Sequence, residues 1–337
     1  MKLNAIINSA VSILKVKAGK RIPVAVRIQL TNRCDHKCLY CDIWQTKSEE
    51  MTTEQVFELI RQLKTAGTKK ISFSGGEPLL RSDIGEIIDY CRALDISPEM
   101  NSRGAGIETK VHKIKNLDLL KVSINGDEQT HDFLSGRKGA FTQSIKAIET
   151  AIKHGIKTTI ATTLTKQNIE QLDFILGLAK KYKTIVAFQP LKKFGYGTDN
   201  IESLYPEKSK YQKALSELIE LKQKGNGYMR NSLLGLKHIF YWPDYPKLHC
   251  AAGKLFCIVD TDGTVYPCDR ICYKTELPNW LKVGFKNAFA NLPEVRCSGC
   301  GFCGSLELSF LLAFKFGTIK SVLNVIKKGG LPCYLTG

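Results

Sequence analysis

Three observations predict an α/β protein built as a partial (β/α)6 TIM-type barrel with a small C-terminal cysteine-rich domain. Strand and helix patterns alternate six times over residues 24–189, which calls for parallel strands joined by crossover helices. Three cysteines follow the first strand pattern directly. Residues 245–304 are dense in Cys, Gly, Pro and aromatics and hold too few apolar residues for a large core, so a metal is expected to organise them. Six units rather than eight leave the barrel open on one side. Functional residues are then expected at the C-terminal ends of the strands.

In chain order, Leu3, Ile6, Ile7, Ala10, Val11 and Leu14 lie at helical spacing and are followed by Lys15, Lys17, Lys20 and Arg21, giving a basic amphipathic helix within residues 1–22. The barrel unit is expected over 23–205. Residues 24–30 read as its first strand. Thr52 and Gln55 form a capping box that opens a helix with Val56, Leu59, Ile60 and Leu63 on one face and Gly67 at its end. Strands are expected at 70–73, 99–101, 119–124, 158–164 and 185–189. Helices are expected at 84–94, near 110–114, along the Phe141, Ile145, Ile148, Ile152 stripe to Gly155, and at 169–181. A helical linker (206–244, with a helix at 208–223) leads to the cysteine-rich unit (245–304) and an amphipathic tail (305–337).

The chain has 337 residues, 43% hydrophobic and 24% charged, which excludes a disordered or collagen-like polypeptide. No apolar run reaches about 18 residues and no secretion signal is evident, so a cytoplasmic location is expected. The net charge of +17 favours an anionic partner. Twelve cysteines in a reducing compartment point to metal or redox chemistry rather than disulfides. Three cluster early, Cys91 stands alone on an apolar helix face as a core thiol, and eight fall between Cys250 and Cys333. Two metal-binding regions are therefore expected.

The first motif is Cys34-Asp-His-Lys-Cys38-Leu-Tyr-Cys41. Three soft thiolates in one tight loop suit an iron–sulfur cluster with one open iron, or a zinc loop completed by His36 or a remote residue. His36 is expected to face solvent. The second motif, Gly75-Gly76-Glu77-Pro78, ends the second strand. Paired glycines allow backbone to approach a ligand, and Glu77 offers an acceptor for an ammonium group.

Together these motifs resemble those of the radical S-adenosylmethionine (SAM) enzymes, which share C-x3-C-x2-C, an aromatic residue before the last cysteine (here Tyr40) and Gly-Gly-Glu-Pro. The likeness covers about residues 24–200. It departs at Asn125, where many relatives carry Asp, and at Leu134-Ser-Gly136. The resemblance implies that Cys34, Cys38 and Cys41 hold a 4Fe–4S cluster whose fourth iron binds SAM. One electron would then cleave the sulfonium bond to give a 5′-deoxyadenosyl radical that abstracts a substrate hydrogen. It further implies that Gly75, Gly76, Glu77 and Pro78 orient the methionine amino group and Tyr40 lies against the adenine. Ser102, Arg103, Ser123 and Asn125 are candidates for the remaining contacts.

The opening Cys250-x12-Gly263-x4-Cys268 and the later Cys297, Cys300 and Cys303 resemble the SPASM/twitch auxiliary-cluster domain of that superfamily. One auxiliary 4Fe–4S cluster is expected on Cys250, Cys268, Cys300 and either Cys297 or Cys303. Two clusters would draw in Cys257, with Cys272 and Cys333 as weaker ligands. His131 and His249 read as ordinary loop histidines. The expected substrate is a peptide, a lipid or another small molecule. The 33 residues before Cys34 leave no room for a fused peptide-recognition domain there. An electron donor such as flavodoxin or ferredoxin is implied. The terminal amphipathic segments are expected to pack on each other or close the barrel, with contact to a membrane surface as the alternative. A zinc-organised nucleic-acid-binding protein is the rival of a different class, but it gives Gly75–Pro78 and the strand–helix alternation no role.

Overall fold

The computed structural model describes residues 12–192, 201–269, 276–295, 297 and 299–313. Six strands form the barrel wall: β1 (Ala25–Thr31), β2 (Lys70–Gly75), β3 (Ser97–Ser102), β4 (Leu119–Ser123), β5 (Thr158–Leu164) and β6 (Ile185–Pro190). Each pairs in parallel with the next. The intervening helices are α1 (Thr53–Thr65), α2 (Ile84–Ala93), α3 (Glu128–Ser135), α4 (Ala140–Lys153) and α5 (Leu172–Lys181). Between β3 and β4 the chain makes only a helical turn, Ile107–Lys110, and a 3-10 turn, Val111–Ile114.

Alternation along each strand sorts the side chains. Ile71, Phe73, Met100, Leu120, Val122, Ile160, Val186 and Phe188 are buried in one core with Val56, Leu59, Ile60 and Leu63 of α1. Each such side chain contributes roughly 1.5–3 kcal/mol on burial. The opposite face is polar: Ser72, Glu99, Asn101, Lys121 and Ser123 look into the barrel. The capping box forms as expected, with Gln55 N donating to Thr52 Oγ1 and Thr52 N to Gln55 Oε1. The short hydrophobic pattern of α3 does not announce it. The helix is made by its ends, Asp127 capping Thr130 N at 2.9 Å and Gly136 closing with φ of 61°.

After α6 (Lys208–Gln223) and α7 (Leu233–Ile239), the chain returns to the sheet. β7 (Phe256–Val259) pairs in parallel with β1, and β8 (Val265–Tyr266) pairs antiparallel with β7. The sheet order is β6-β5-β4-β3-β2-β1-β7-β8. The cysteine-rich region is therefore joined to the barrel by main chain, along the edge that six strands leave open. Gln29 Nε2 adds bonds to Asp260 Oδ1 (3.0 Å) and Tyr266 Oη (2.6 Å).

Two helices close the described chain, α8 (Phe285–Ala290) and α9 (Cys303–Leu312). Residues 305–312 of α9 are all buried, so this stretch is a core helix rather than an amphipathic tail. Val16 packs with Leu308 and Leu312. The described parts of the two ends thus cover each other, while residues 1–11 and 314–337 lie outside the described residues. Among the described residues no helix is long and apolar enough to cross a membrane.

Candidate active site at the strand ends

The cysteine loop leaves β1 at Thr31 and is shaped by main-chain contacts. Gly76 N donates to Thr31 O (2.7 Å) and Glu77 N to Arg33 O (2.8 Å). A Cβ on Gly76 would stand 2.2 Å from Arg33 O. The close approach that the glycine pair permits is thus made to the cysteine loop itself. On the loop's other side, Lys37 N and Leu39 N donate to Ser135 O and Leu134 O. A Cβ on Gly136 would stand 2.2 Å from Lys37 O. This contact explains the Leu134-Ser-Gly136 departure: the turn ending α3 is the bed on which the loop lies.

The carboxylate of Glu77 is turned towards β3 rather than left open for an ammonium group. It accepts from Leu79 N (3.0 Å), Ser102 Oγ (2.8 Å) and Arg103 N (2.6 Å). Burial pushes its pKa up against these bonds. Ser102 Oγ also accepts from Gly104 N (2.8 Å). Glu77 and Ser102 therefore fix the backbone from which Arg103 reaches the thiols. Pro78 starts the 3-10 turn that follows.

Tyr40 is held between the loop and β4. Its ring is buried with Cys38, Leu134, Leu191, Ile201 and Leu204, and it anchors the loop. Tyr40 Oη accepts from Asn125 Nδ2 (2.6 Å), whose own Oδ1 accepts from Thr163 N (2.9 Å). As an amide, Asn125 donates to one neighbour and accepts from the other. Asn168 Nδ2 holds Asn125 O (3.1 Å). Ser123, half-buried at the end of β4, has no hydrogen-bond partner for its hydroxyl among the described residues.

Burial raises the Cys34, Cys38 and Cys41 thiols, Cys38 to about 11, while the nearby Arg103 guanidinium lowers all three. Arg103 is bonded to Tyr40, yet its buried Nη1 has no partner among the described residues. His36 is not solvent-facing: it is 1% exposed, with Nδ1 2.8 Å from Asp35 Oδ1 and Nε2 unpartnered. Burial alone would raise Asp35, but bonds with His36 and Gln143 and the charges of His36 and Arg137 hold it well below the usual range. His131 lies in α3 rather than a loop. It accepts from Asn125 N at 2.9 Å, and burial lowers its pKa to about 3, leaving it neutral. Gln143 and His131 carry no motif signal; only the fold brings them to the loop.

The C-terminal thiols form a second group. Cys250 is raised to about 12 by burial and by Cys300, Cys297 and Cys268, which lie near enough to bear on it. Cys303 is also near enough to Cys300 to be raised by it, and its Sγ donates to Phe188 O (3.0 Å) and accepts from Asn231 Nδ2 (3.5 Å). Cys257 is a correction to its expected role as an extra ligand. On β7 it pairs with Val26 and faces the helix-side core with Val259 and Val265, and burial is the sole cause of its raised pKa. Cys91 is a core thiol, as its helical position predicts. Cys272 and Cys333 lie outside the described residues. Around Cys300, His238 Nε2 donates to the carbonyl at 3.0 Å and stacks on Tyr245 at 5.7 Å. Tyr245 fills the space that side chains at Gly299 and Gly301 would need.

The thiol loop, Glu77, Arg103 and Asn125 each follow a strand's C-terminal end, and the sequence matches the radical SAM superfamily over residues 28–179. The barrel is a radical SAM domain. This radical SAM enzyme is 26% identical over 308 residues to the mycofactocin maturase MftC of Mycolicibacterium smegmatis, covering 86% of this chain and 77% of that one. It is 28% identical to the MftC of Mycobacterium ulcerans over 86% and 82% of the two chains. Its fold is similar to that of Streptococcus suis SuiB bound to S-adenosylmethionine, with a TM-score of 0.68, 17% identity and coverage of 83% and 69%. It is also similar to anSMEcpe with bound AdoMet, with a TM-score of 0.65, 18% identity and coverage of 90% and 100%. These matches run past the barrel, so the C-terminal region shares the SPASM-like fold. The radical SAM cofactor pair, a 4Fe–4S cluster and SAM, suits the donor set: three thiols on one loop beside a buried guanidinium nitrogen still lacking an acceptor.

Proposed function

We propose that this radical SAM enzyme modifies a peptide, with Cys34, Cys38 and Cys41 holding the SAM-binding cluster and Cys250, Cys268, Cys297 and Cys300 holding one auxiliary 4Fe–4S cluster. The observation that carries the first assignment is the unpartnered Arg103 Nη1 beside three thiols. When bound, the cluster and SAM supply an electron and a 5′-deoxyadenosyl radical able to abstract a hydrogen atom. The chain's own residues place and screen that pair. Arg103 offsets thiolate charge, Tyr40 and Asn125 fix the loop against β4, and Ser123 offers a hydroxyl at the mouth of the barrel. Peptide as the substrate class is supported by MftC being named a maturase and by structures of SuiB with a precursor peptide and of anSMEcpe with peptides.

Anaerobic reconstitution tests the chemistry. Broad absorption near ~400 nm, about eight irons per chain and 5′-deoxyadenosine release with dithionite and SAM are expected. Colourless protein with stoichiometric zinc would overturn it. Co-expression with short reading frames beside its gene, followed by intact-mass measurement, tests the peptide part. A mass change confined to a lipid or metabolite would replace it.

A further inference from the structure

Beside the cysteine loop stands an aromatic residue that the packing of the fold does not require. Trp44 is half-buried and joins none of the hydrophobic cores. Its Nε1 donates to Cys41 O at 3.1 Å. Lys37 Nζ stands 5.2 Å from the centre of its ring, within reach of a cation–π contact. Both contacts of the indole therefore go back to the loop that bears the thiols.

Local turns bring these groups together. Cys41 N donates to Cys38 O at 3.1 Å, which makes a tight turn between the second and third thiols. A 3-10 turn, Ile43–Gln45, follows, with Gln45 N donating to Asp42 O at 2.8 Å. Ile43 is buried and seats this turn. Burial raises the Cys41 thiol, and a bond from the Ile43 main chain lowers it. Ile43 thus holds the sulfur of Cys41 and Trp44 holds its carbonyl. Lys37, one residue before Cys38, is exposed and reaches across to the indole. The stretch from 37 to 44 is closed on itself, with Cys38 and Cys41 between its ends.

We propose that Trp44 is a positioning residue for the SAM-binding cluster, locking the Cys41 main chain while Lys37 steadies the indole. The inference rests on Cys34, Cys38 and Cys41 holding that cluster, as proposed above. Indole suits the task because it presents one donor and no acceptor on a rigid plane. A loop set in this way offers its third thiolate already placed. It also gives the cluster up slowly, since Cys41 is not free to turn away.

The test is retention of the cluster when the reconstituted enzyme is challenged anaerobically with an iron chelator. In the reduced protein, the electron paramagnetic resonance signal that changes on adding SAM reports the loop. Trp44→Phe keeps a ring for Lys37 but loses the donor, and should speed decay of that signal about two- to tenfold. Lys37→Met should speed it about two- to fivefold, and Lys37→Arg should restore the wild-type rate. The signal that SAM leaves unchanged, from the C-terminal thiols, should decay in each variant as in the wild type. Wild-type decay in Trp44→Phe overturns the positioning role. Equal acceleration of both signals overturns it too, because that marks a general loss of stability. Should Trp44→Phe fail to fold, Lys37→Met decides in its place, its site being exposed. A wild type with no SAM-responsive signal removes the cluster assignment itself, and the positioning role with it.

Discussion

The loop carrying Cys34, Cys38 and Cys41 is tied down along its length. Lys37 and Leu39 bond to the last residues of α3, Tyr40 to Asn125, Asp35 to His36 and Gln143, and Thr31 and Arg33 at the loop's start to Gly76 and Glu77. Cys250, Cys268, Cys297 and Cys300 come instead from separate connecting segments. Cys250 precedes β7, Cys268 follows β8, and Cys297 and Cys300 follow α8. Their clearest protein support is the His238–Tyr245 stack under Cys300. The first group has a frame that the protein makes for itself. The second draws distant pieces of chain together, so whatever binds there also closes the structure.

The contrast is sharpest in cysteine variants. Cys38→Ala should reduce 5′-deoxyadenosine release to background, yet leave iron at the C-terminal group and the loop's backbone intact. Undiminished release, measured by chromatography, would place the active cluster elsewhere. Cys268→Ser should lower bound iron by about half and expose the 245–304 region to early proteolysis, with reductive SAM cleavage persisting. Equal protease resistance with and without iron would show that this region has a frame of its own.

The frame of the first group can be weakened directly. His131 titrates near 3 in the folded chain against about 6.5 unfolded, chiefly because burial disfavours its charge. Between those values the unfolded chain binds a proton that the native one refuses. Stability of the iron-free protein should therefore fall as pH drops from about 6.5 towards 3 and be insensitive to this group above 6.5. His131→Gln should flatten that slope in denaturant titrations. Asn125→Leu removes the bonds to both Tyr40 and Thr163 N and should cost about 1–3 kcal/mol, with a raised KM for SAM. The smallest effect belongs to Cys257→Val, which should change iron content not at all and stability by less than about 1.5 kcal/mol. Lost iron there would return Cys257 to the ligands.

Much of this was legible because the signals are local. The capping box at Thr52 and Gln55, the strand alternation and the cysteine spacing depend on neighbours a few residues apart. What the sequence hides is pairing at long range. Cys257 reads as one more thiol in a cysteine-rich stretch until β7 is laid against β1 and alternation turns it to the helices. The uses of Gly76 and Gly136 are hidden likewise, since each is small to admit a carbonyl from another part of the chain. Glu77 reads as an open acceptor because its three donors come from two different turns. Helix α3 leaves a faint trace, for eight residues held by Asp127 and Gly136 need little apolar periodicity.

The partnership of β7 with β1 also has a consequence for synthesis. As the polypeptide leaves the ribosome, β1 can find β2 early, but its other edge stays bare until nearly all the intervening chain has emerged. An uncovered edge of hydrogen-bonding groups invites pairing with a neighbouring nascent molecule. The late arrival of the hairpin is therefore also the moment at which that hazard ends. A chaperone occupying the edge meanwhile would serve the same purpose.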